Sequence, residues 1–464
     1  MYAQRVNSNG VIQWAVNGYA VCTADGNQLY PELVSDGSGG AIIIWTDTRS
    51  GNSDIYAQRV NSSGTAQWTV NGVAICTATG EQVSPMLISD GSGGAIIAWR
   101  DARSGTNDIY AQRVNSSGTA QWTVNGVVIC SATSEQYDSR MSSDNAGGAI
   151  VTWYDYRNLA DGNIYAQRIN SSGAVQWTAN GIAICTQSPA NQQTPRITSD
   201  GSNGAIITWV DPRNDGNGDI YAQKINGSGT VQWTTNGVGV CTASNNQARM
   251  EILGDGNGGA TIIWDDDLAA NIGAQKLNSS GVAQWESNGI WVCNASGSQH
   301  RGHLVSDGSG NLIVVWDDDR NGSLNIYAQK IGDNPTISSI FPNTANNSGT
   351  VNITNLAGNN FSSFQTICLS KSGQTNIGAT NTTAVSNTQI TCSFDLTGKY
   401  LGQWNVVLAD TDTNSVTLIN GFTITPSGPT GMPSKPMCTG SSIITISWSV
   451  GTTCGKSRIN RIAR

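Results

Sequence analysis

Tyr110-Ala-Gln-Arg-Val-Asn-Ser-Ser-Gly-Thr-Ala-Gln-Trp122 is one copy of a segment that recurs along most of this 464-residue chain. The Tyr-Ala-Gln at its start occurs at Tyr2, Tyr56, Tyr110, Tyr165, Tyr221 and Tyr327, with Gly273 at the same place in the remaining copy. Successive copies therefore lie about 54 residues apart. A repeat of this length is typical of a solenoid or of a propeller.

The residues around this segment predict four antiparallel strands in each copy. In the copy that begins near Ser84, we expect strands over residues 84–89, 95–99, 108–114 and 121–130, with turns at residues 90–94 and 115–118. Four antiparallel strands within 40 to 50 residues form one blade of a β-propeller, and no helical crossover interrupts them. The predicted fold class is all-β, with a β-propeller over residues 1–332.

Six blades are the first choice for this propeller. Five complete units start near Tyr30, Ser84, Asp138, Thr194 and Ala248. A sixth unit starts near Gly302 but supplies only three strands before Gly332. We expect residues 13–22 to pair beside the strand around Tyr327, because a borrowed fourth strand would remove the exposed sheet edges. Residues 1–6 duplicate residues 327–331, so a longer parent ring stays open as an alternative.

Composition excludes several classes of partner. Only 12% of the residues are charged and the net charge is −8, which argues against a nucleic-acid-binding surface of clustered Lys and Arg. No apolar stretch reaches the length of a membrane span. Met1 stands where an Ile precedes most later copies of Tyr-Ala-Gln, so we interpret the chain as a fragment whose signal peptide lies upstream. The expected location is extracellular or at the cell surface.

The residues that stay constant between copies predict packing. Tryptophans recur in two series: Trp14, Trp68, Trp122, Trp177, Trp233 and Trp285, then Trp45, Trp99, Trp153, Trp209, Trp264 and Trp316. Such regularity favours packing between blades over twelve sugar-stacking platforms. Six cysteines also recur once per copy: Cys22, Cys76, Cys130, Cys185, Cys241 and Cys293. Equivalent positions of neighbouring blades lie too far apart for disulfides, so buried thiols are expected and metal binding is not.

An acidic and a basic residue follow the second strand of most copies. These pairs are Asp47 and Arg49, Asp101 and Arg103, Asp155 and Arg157, Asp211 and Arg213, and Asp318 and Arg320. The fifth copy has Asp266 but Leu268. We expect the pairs to tie loops to the neighbouring blade. The loop over residues 211–219 is loosely similar to a calcium-binding loop, but it lacks the ligand spacing of an EF-hand, so structural turns are favoured.

The repeat resembles that of pyrroloquinoline-quinone-type and kelch-like propellers, in which a Gly turn precedes a docking Trp, as in residues 110–122. It also looks like repeats of large, multi-module surface and secreted proteins of bacteria. The resemblance covers residues 1–331 and implies a fold. It implies no dehydrogenase activity, because nothing here matches the quinone or metal ligands.

The repeat stops after Asp333, and two further modules are indicated. Residues 335–342, Gly349 and residues 358–361 resemble the start of an IPT/TIG immunoglobulin-like domain, which predicts a β-sandwich over residues 333–425. A Pro/Gly/Ser linker follows over residues 426–440. Residues 441–448 are similar to the second strand of a fibronectin type III module, so residues 441–464 are expected to be its poorly ordered start. The disulfide status of Cys368 with Cys392, and of Cys438 with Cys454, is left open.

The copies diverge at two positions of each first strand, two and four residues after a recurring Gln. Alternation of side chains places both positions on one face, and equivalent positions in a ring point at a common axis. We therefore predict a ligand site at the mouth of the central channel. Its candidate residues are Tyr30, Glu32, Asp138, Arg140, Arg196, Arg249, Glu251, Arg301 and His303. The alternative is a set of solvated strand ends with no shared role.

The predicted function is that of a non-enzymatic binding or scaffold protein, part of a larger parent chain, whose ligand is a carbohydrate or another surface polymer. The alternative is a glycan-cleaving hydrolase or lyase that uses Asp138, Glu251, Tyr30 and the arginines, and a third reading is a structural spacer. No nucleophile motif, phosphate loop or metal cluster occurs, so no catalytic residue, metal or cofactor is predicted. Arginines without acidic partners would attract an anionic ligand, whereas pairing with Glu32, Asp138 and Glu251 would favour a structural role.

Overall fold

A computed structural model describes residues 1–158, 161–189, 191–308, 311–332, 336–359, 361, 364–386, 388–410 and 415–427. These residues form strands, turns and bends without an α-helix, which confirms the all-β prediction. None of them belongs to a helix that could cross a lipid bilayer. The chain divides into two compact units, Met1–Gly332 and Asp333–Arg464, each of which is described by itself.

The first unit is a series of antiparallel sheets, preceded by the short strands β1 (Tyr2–Ala3) and β2 (Tyr19–Ala20). Sheet 1 consists of β3 (Gln28–Ser35), β4 (Ala41–Asp47), β5 (Asp54–Val60) and β6 (Val73–Cys76). Sheet 2 consists of β7 (Gln82–Ser89), β8 (Ala95–Asp101), β9 (Asp108–Val114) and β10 (Val127–Cys130). Sheet 3 consists of β11 (Gln136–Ser143), β12 (Ala149–Asp155), β13 (Asn163–Ile169) and β14 (Ile182–Cys185).

Three further sheets complete the series. Sheet 4 consists of β15 (Gln193–Ser199), β16 (Ala205–Asp211), β17 (Asp219–Ile225) and β18 (Val238–Cys241). Sheet 5 consists of β19 (Gln247–Gly254), β20 (Ala260–Asp266), β21 (Asn271–Leu277) and β22 (Ile290–Cys293). Sheet 6 has three strands, β23 (Gln299–Ser306), β24 (Leu312–Asp318) and β25 (Asn325–Ile331). Six successive meanders of this kind confirm the predicted propeller.

Local hydrogen bonds explain why each copy folds as a meander. In sheet 2, Asp90 accepts hydrogen bonds from the backbone N–H groups of Ser92 and Gly94, both at 2.8 Å, which closes the turn between β7 and β8. The last strand is shorter than predicted, because Asn125 and Gly126 have φ values of 62° and 88°. A residue in this left-handed conformation cannot be part of an extended strand, so β10 begins only after both residues, at Val127.

The constant tryptophans pack between sheets, as predicted. Trp99 is fully buried, and its indole N–H donates to Asp101 at 2.8 Å. A Cβ atom at Gly126 would come within 2.5 Å of the Trp99 ring, which explains the glycine there. The indole N–H of Trp122 donates to the backbone carbonyl of Ser171 in the next copy at 3.1 Å. The sheets are therefore joined by buried rings that also satisfy their polar atoms.

The predicted closure of the ring is wrong. Residues 13–22 were expected beside the strand around Tyr327, but β2 pairs with β1 in the register Tyr2 to Ala20. β1 carries the Tyr-Ala-Gln found in the third strand of most copies, and it lies close to β2 in sequence, so this pairing closes a short loop. Among the described residues, β25 pairs only with β24. Sheet 6 therefore keeps three strands and an open outer edge.

The second unit is a β-sandwich. Its strands are β26 (Thr336–Phe341), β27 (Thr344–Asn346), β28 (Thr350–Asn359), β29 (Phe364–Ser370), β30 (Ile377–Gly378), β31 (Thr380–Ser386), β32 (Gln389–Asp395), β33 (Gly402–Asp410) and β34 (Ser415–Thr425). One sheet has the order β26-β28-β32-β31 and the other β27-β34-β33-β29-β30. Ile353, Phe394, Trp404 and Phe422 share one core between them. This sandwich agrees with the predicted immunoglobulin-like fold.

Two sequence-based questions about the C-terminal part concern its domain family and its cysteines. The resemblance to an IPT/TIG domain stays a prediction. Cys368 and Cys392 are free thiols. The fibronectin-like segment over residues 441–464, most of the linker, Cys438 and Cys454 lie outside the described residues.

Candidate functional site

Every innermost strand of the propeller contains a β-bulge at the divergent positions. In sheet 1, Leu29 and Glu32 pair with residues of β4 that are only two apart, so Tyr30 and Pro31 together face a single residue. The same register shift occurs in all six sheets. The extra residue interrupts the strict alternation of side chains that was assumed for the two divergent positions, although Tyr30 and Glu32 still line the same space.

The bulge places a non-glycine residue in the left-handed region in each copy. These residues are Tyr30, Ser84, Asp138, Thr194, Arg249 and Arg301, with φ between 47° and 57°. Such a conformation costs about 1–3 kcal/mol for most side chains, and strain of this kind collects at functional sites. The strain recurs at this divergent position in all six sheets, which makes the inner end of the sheets a candidate functional site.

One cavity of about 570 Å³ lies at these bulges. The innermost strands of all six sheets, β3, β7, β11, β15, β19 and β23, contribute to it. Its lining residues are Tyr30, Glu32, Ser84, Pro85, Met86, Asp138, Arg140, Met141, Arg196, Ile197, Glu251, Ile252 and His303. A shared cavity of this size is within the usual range for ligand pockets, and it occupies the place of a propeller's central channel.

Seven of the nine candidate residues line this cavity, and Arg249 and Arg301 do not. The Arg249 guanidinium lies 3.4 Å from a carboxylate oxygen of the buried Asp265. The Arg301 guanidinium lies 3.1 Å from Asp317. In the first four copies the position of these two acids holds Thr46, Arg100, Tyr154 and Val210. An acidic neighbour on the second strand thus accounts for the different placement of the two arginines.

The charged residues of the cavity form a chain of alternating sign. A guanidinium nitrogen of Arg140 lies 2.7 Å from a carboxylate oxygen of Asp138. Guanidinium nitrogens of Arg196 lie 3.8 Å from carboxylate oxygens of Asp138 and of Glu251. Burial lowers the pKa of Arg140, and the positive charge of Arg196 lowers it further. With Glu32 included, three carboxylates face two guanidinium groups, so the cavity carries a net charge of about −1. The arginines are therefore partnered, and the condition for attracting an anionic ligand is not met here.

Glu32, Tyr30 and His303 complete the polar wall. The Tyr30 side chain is 70% exposed, and Glu32 and His303 are exposed as well. Among the described residues, the side chains of Glu32 and His303 make no hydrogen bond or ion pair. Met86, Met141 and Ile252 supply apolar surface beside them. The cavity thus combines free acceptors, paired charges and apolar patches.

A smaller pocket of about 200 Å³ adjoins the cavity between sheets 2 and 3, and sequence reasoning missed it. It shares Ser84, Asp138 and Arg140 with the cavity and adds Arg100, Tyr137, Ser139 and Tyr154. Arg100 and Tyr154 occupy the position after the constant second-strand tryptophan, which differs in nearly every copy. The divergence of that position was the available signal.

The Asp-Arg pairs are structural, as expected. Arg103 lies 2.6 Å from Asp101 and also donates to the Asn125 carbonyl at 2.8 Å and to the Cys76 sulfur of the preceding copy at 3.1 Å. Burial raises the pKa of the Cys76 thiol to about 12. Among the described residues, including the loop over residues 211–219, no three His, Cys, Asp or Glu side chains are arranged to hold a metal ion.

No known protein family matches the sequence. No curated protein matches it either. Solved structures with a similar fold include the α-L-arabinofuranosidase Arb93A from Fusarium graminearum with an iminosugar inhibitor, at 10% identity over 67% of this chain and 95% of that one, TM-score 0.39. A puromycin hydrolase S511A mutant matches at 12% identity over 82% and 54%, TM-score 0.45. An ulvan lyase matches at 10% over 65% and 78%, TM-score 0.42. These values assign no function to this chain.

Proposed function

We propose that the propeller is a glycan-binding module and that its ligand occupies the central cavity. The observation that carries this proposal is the convergence of all six innermost strands on one cavity, at the positions where the copies differ most. Packing alone would keep those positions alike, as it does for the buried tryptophans. Different side chains around one shared space are the arrangement expected of a binding site.

The chemistry of the wall suits a neutral sugar chain better than a polyanion. Carboxylates accept and guanidinium groups donate hydrogen bonds, so the chain Arg140, Asp138, Arg196 and Glu251 offers alternating partners to hydroxyl groups, which do both. The Tyr30 ring and the methionines provide surface for the C–H faces of sugar rings. A net charge of about −1 repels a uniformly anionic polymer.

Binding to an array of neutral and acidic oligosaccharides tests the proposal, followed by titration calorimetry of the best ligand. We expect the Arg140→Ala/Arg196→Ala double variant to bind at least tenfold more weakly, because it removes both cationic donors from the cavity. Arg301→Ala is the matched control, since Arg301 lies outside the cavity. Equal binding by the double variant and the wild type, or no binding by either, would leave a scaffold as the function.

Cleavage of the bound glycan is the second candidate, and two carboxylates favour it. Glycosidases generally use a protonated and an ionised carboxyl group in one cleft. Glu32 has no ion-pair partner among the described residues, and Glu251 has only the contact with Arg196 at 3.8 Å. Release of reducing ends would identify this activity. We expect it to be lost in Glu251→Gln and kept in Glu286→Gln, which changes an exposed glutamate away from the cavity.

The cellular location of the protein and the order of its domains are part of the same proposal. The resemblance of the repeat to those of bacterial surface and secreted proteins supports an extracellular location and a larger parent chain. The division into a propeller over residues 1–332, a sandwich over residues 333–425, a linker over residues 426–440 and a fibronectin-like start over residues 441–464 is proposed on the same basis. Fractionation of the native host cell would test the location.

A further inference from the structure

The pocket between sheets 2 and 3 has a character different from that of the cavity it adjoins. Its charged lining residues are Arg100, Arg140 and Asp138, which give a net charge of about +1. The cavity has a net charge of about −1. Because Asp138 is already 2.7 Å from Arg140, the positive charge in excess belongs to Arg100. We call this space the side pocket.

Arg100 is a cation without an anionic partner among the described residues. Its Nε–H is buried and has no hydrogen-bond acceptor. By contrast, an ion pair with an aspartate is formed by each of Arg49, Arg103 and Arg157. A buried, unsatisfied donor on a charged group destabilises the protein, because its bond to water is lost and not replaced. A ligand that supplies an acceptor to this guanidinium would recover that cost.

Aromatic rings form the wall around Arg100. Its guanidinium carbon lies 5.3 Å from the centre of the Tyr137 ring, and the Tyr137 and Tyr154 ring centres are 5.5 Å apart. Tyr156 lies 5.5 Å from Tyr154 in an edge-on arrangement. Burial raises the pKa of Tyr154, so its phenol stays neutral and adds no negative charge. The side pocket is therefore flat-walled, cationic and large enough for one sugar ring.

We propose that the side pocket binds a carboxylate-bearing sugar, a uronic acid unit, of the glycan whose other units occupy the cavity. This inference rests on the proposed glycan-binding function and adds a substrate class to it. A guanidinium group presents parallel N–H donors that match a carboxylate, and Tyr137 and Tyr154 provide a surface for the sugar ring. The shared residues Ser84, Asp138 and Arg140 connect the two spaces, so neighbouring units of one chain reach both.

Calorimetry with a neutral xylotriose that carries one glucuronic acid unit, and with the methyl ester of that single carboxyl group, isolates the carboxylate, because the two probes share one sugar backbone. We expect the wild type to bind the free acid at least tenfold more tightly than the ester. Arg100→Gln should bind both probes with the affinity of the ester, and Arg100→Lys should regain part of the difference. Arg301→Gln, which changes an exposed arginine outside both spaces, should keep the full preference.

Three outcomes would overturn the uronate site. Equal binding of acid and ester by the wild type would remove it and leave the glycan-binding function in place. A preference that persists in Arg100→Gln would assign the carboxylate to another residue. Binding of neither probe would count against the site, and the oligosaccharide array decides the wider function independently. Unchanged affinity of Arg100→Gln for the ester shows that the variant is folded.

Discussion

Ile326 on β25 is 70% exposed, whereas Ile55, its counterpart on β5 of sheet 1, is completely buried. Ile55 packs in a core with Ile75 of the fourth strand and with Ile97 of sheet 2, whereas among the described residues β25 pairs with no fourth strand. Ile55→Ala should therefore lower the free energy of unfolding by about 2–5 kcal/mol. Ile326→Ala should change it by less than about 0.5 kcal/mol.

Urea unfolding of the two variants beside the wild type measures this difference. Equal losses would show that Ile326 is covered in solution and that another strand occupies the edge of sheet 6.

The second prediction concerns the contribution of a buried tryptophan to the free energy of unfolding. Trp153 is fully buried, and its indole N–H donates to Asp155 at 2.7 Å. Trp153→Ala should cost about 3–5 kcal/mol, the usual loss for a large aromatic core residue. Val124→Ala, at a position 81% exposed before β10, is the control and should be neutral. A loss below about 1 kcal/mol for Trp153→Ala would mean that the ring is accessible, in favour of sugar stacking.

The thiols of the repeat should resist modification in the native protein. Cys76, Cys130 and Cys185 are buried, and burial raises the pKa of each to about 12. The thiolate is the reactive form, so only a very small fraction of each of these thiols should be reactive between pH 7 and 9. Cys293 and Cys368 are only half-buried and should react first. Mass spectrometry after timed alkylation checks this order, with urea-unfolded protein as the control, and rapid native labelling of Cys130 would contradict it.

The sequence predicted the fold well because the same interactions recur in every copy. Trp99 needs Gly126 beneath its ring and Asp101 for its N–H, and this combination returns every 54 residues or so. Periodic packing of this kind is visible without coordinates. The prediction that failed is the pairing of residues 13–22 with the strand around Tyr327, which was expected because it would remove an exposed sheet edge. Tyr2-Ala3 offered a nearer strand, and nearness in sequence decided the pairing.

The candidate site could be predicted in part. Divergence between copies pointed to the positions of Glu32, Arg140 and His303, which the structure brings to one cavity. The bulge could not be foreseen, because Tyr30 and Arg301 are not residues that favour a left-handed backbone. The side pocket was not predicted because Arg100 and Tyr154 lie on second strands, whereas the predicted site consisted of first-strand residues only.

Backbone strain at the bulge leads to a prediction about stability. Thr194 has a φ of 51°, which is unfavourable for a β-branched residue, and its hydroxyl is buried without a hydrogen-bond partner. Thr194→Gly removes both penalties and should raise the free energy of unfolding by about 1 kcal/mol. Gln193→Gly, at the preceding exposed position of β15, should lower it. A destabilised Thr194→Gly variant would show that the side chain makes a contact that outweighs the strain.

Asp219 at the start of β17 should make stability depend on pH. It is 1% exposed, and burial raises its pKa to about 6, although Asn214 donates a hydrogen bond to it. The ordinary value for an unfolded aspartate is about 3.9. The folded state therefore binds more protons between pH 4 and 6, so the free energy of unfolding falls as the pH rises through that window. Above pH 6 the penalty is complete.

Asp219→Asn removes the ionisable group and should raise stability at pH 7 by about 1–3 kcal/mol. Asparagine is tolerated at this position of the repeat, because sheets 3, 5 and 6 have Asn163, Asn271 and Asn325 there. Melting temperatures measured from pH 4 to 7 should fall for the wild type and fall less for Asp219→Asn. Asp25→Asn, an exposed aspartate of the first repeat, should behave as the wild type does. Parallel profiles for Asp219→Asn and the wild type would show that Asp219 titrates near its ordinary pKa, as a solvated carboxylate does.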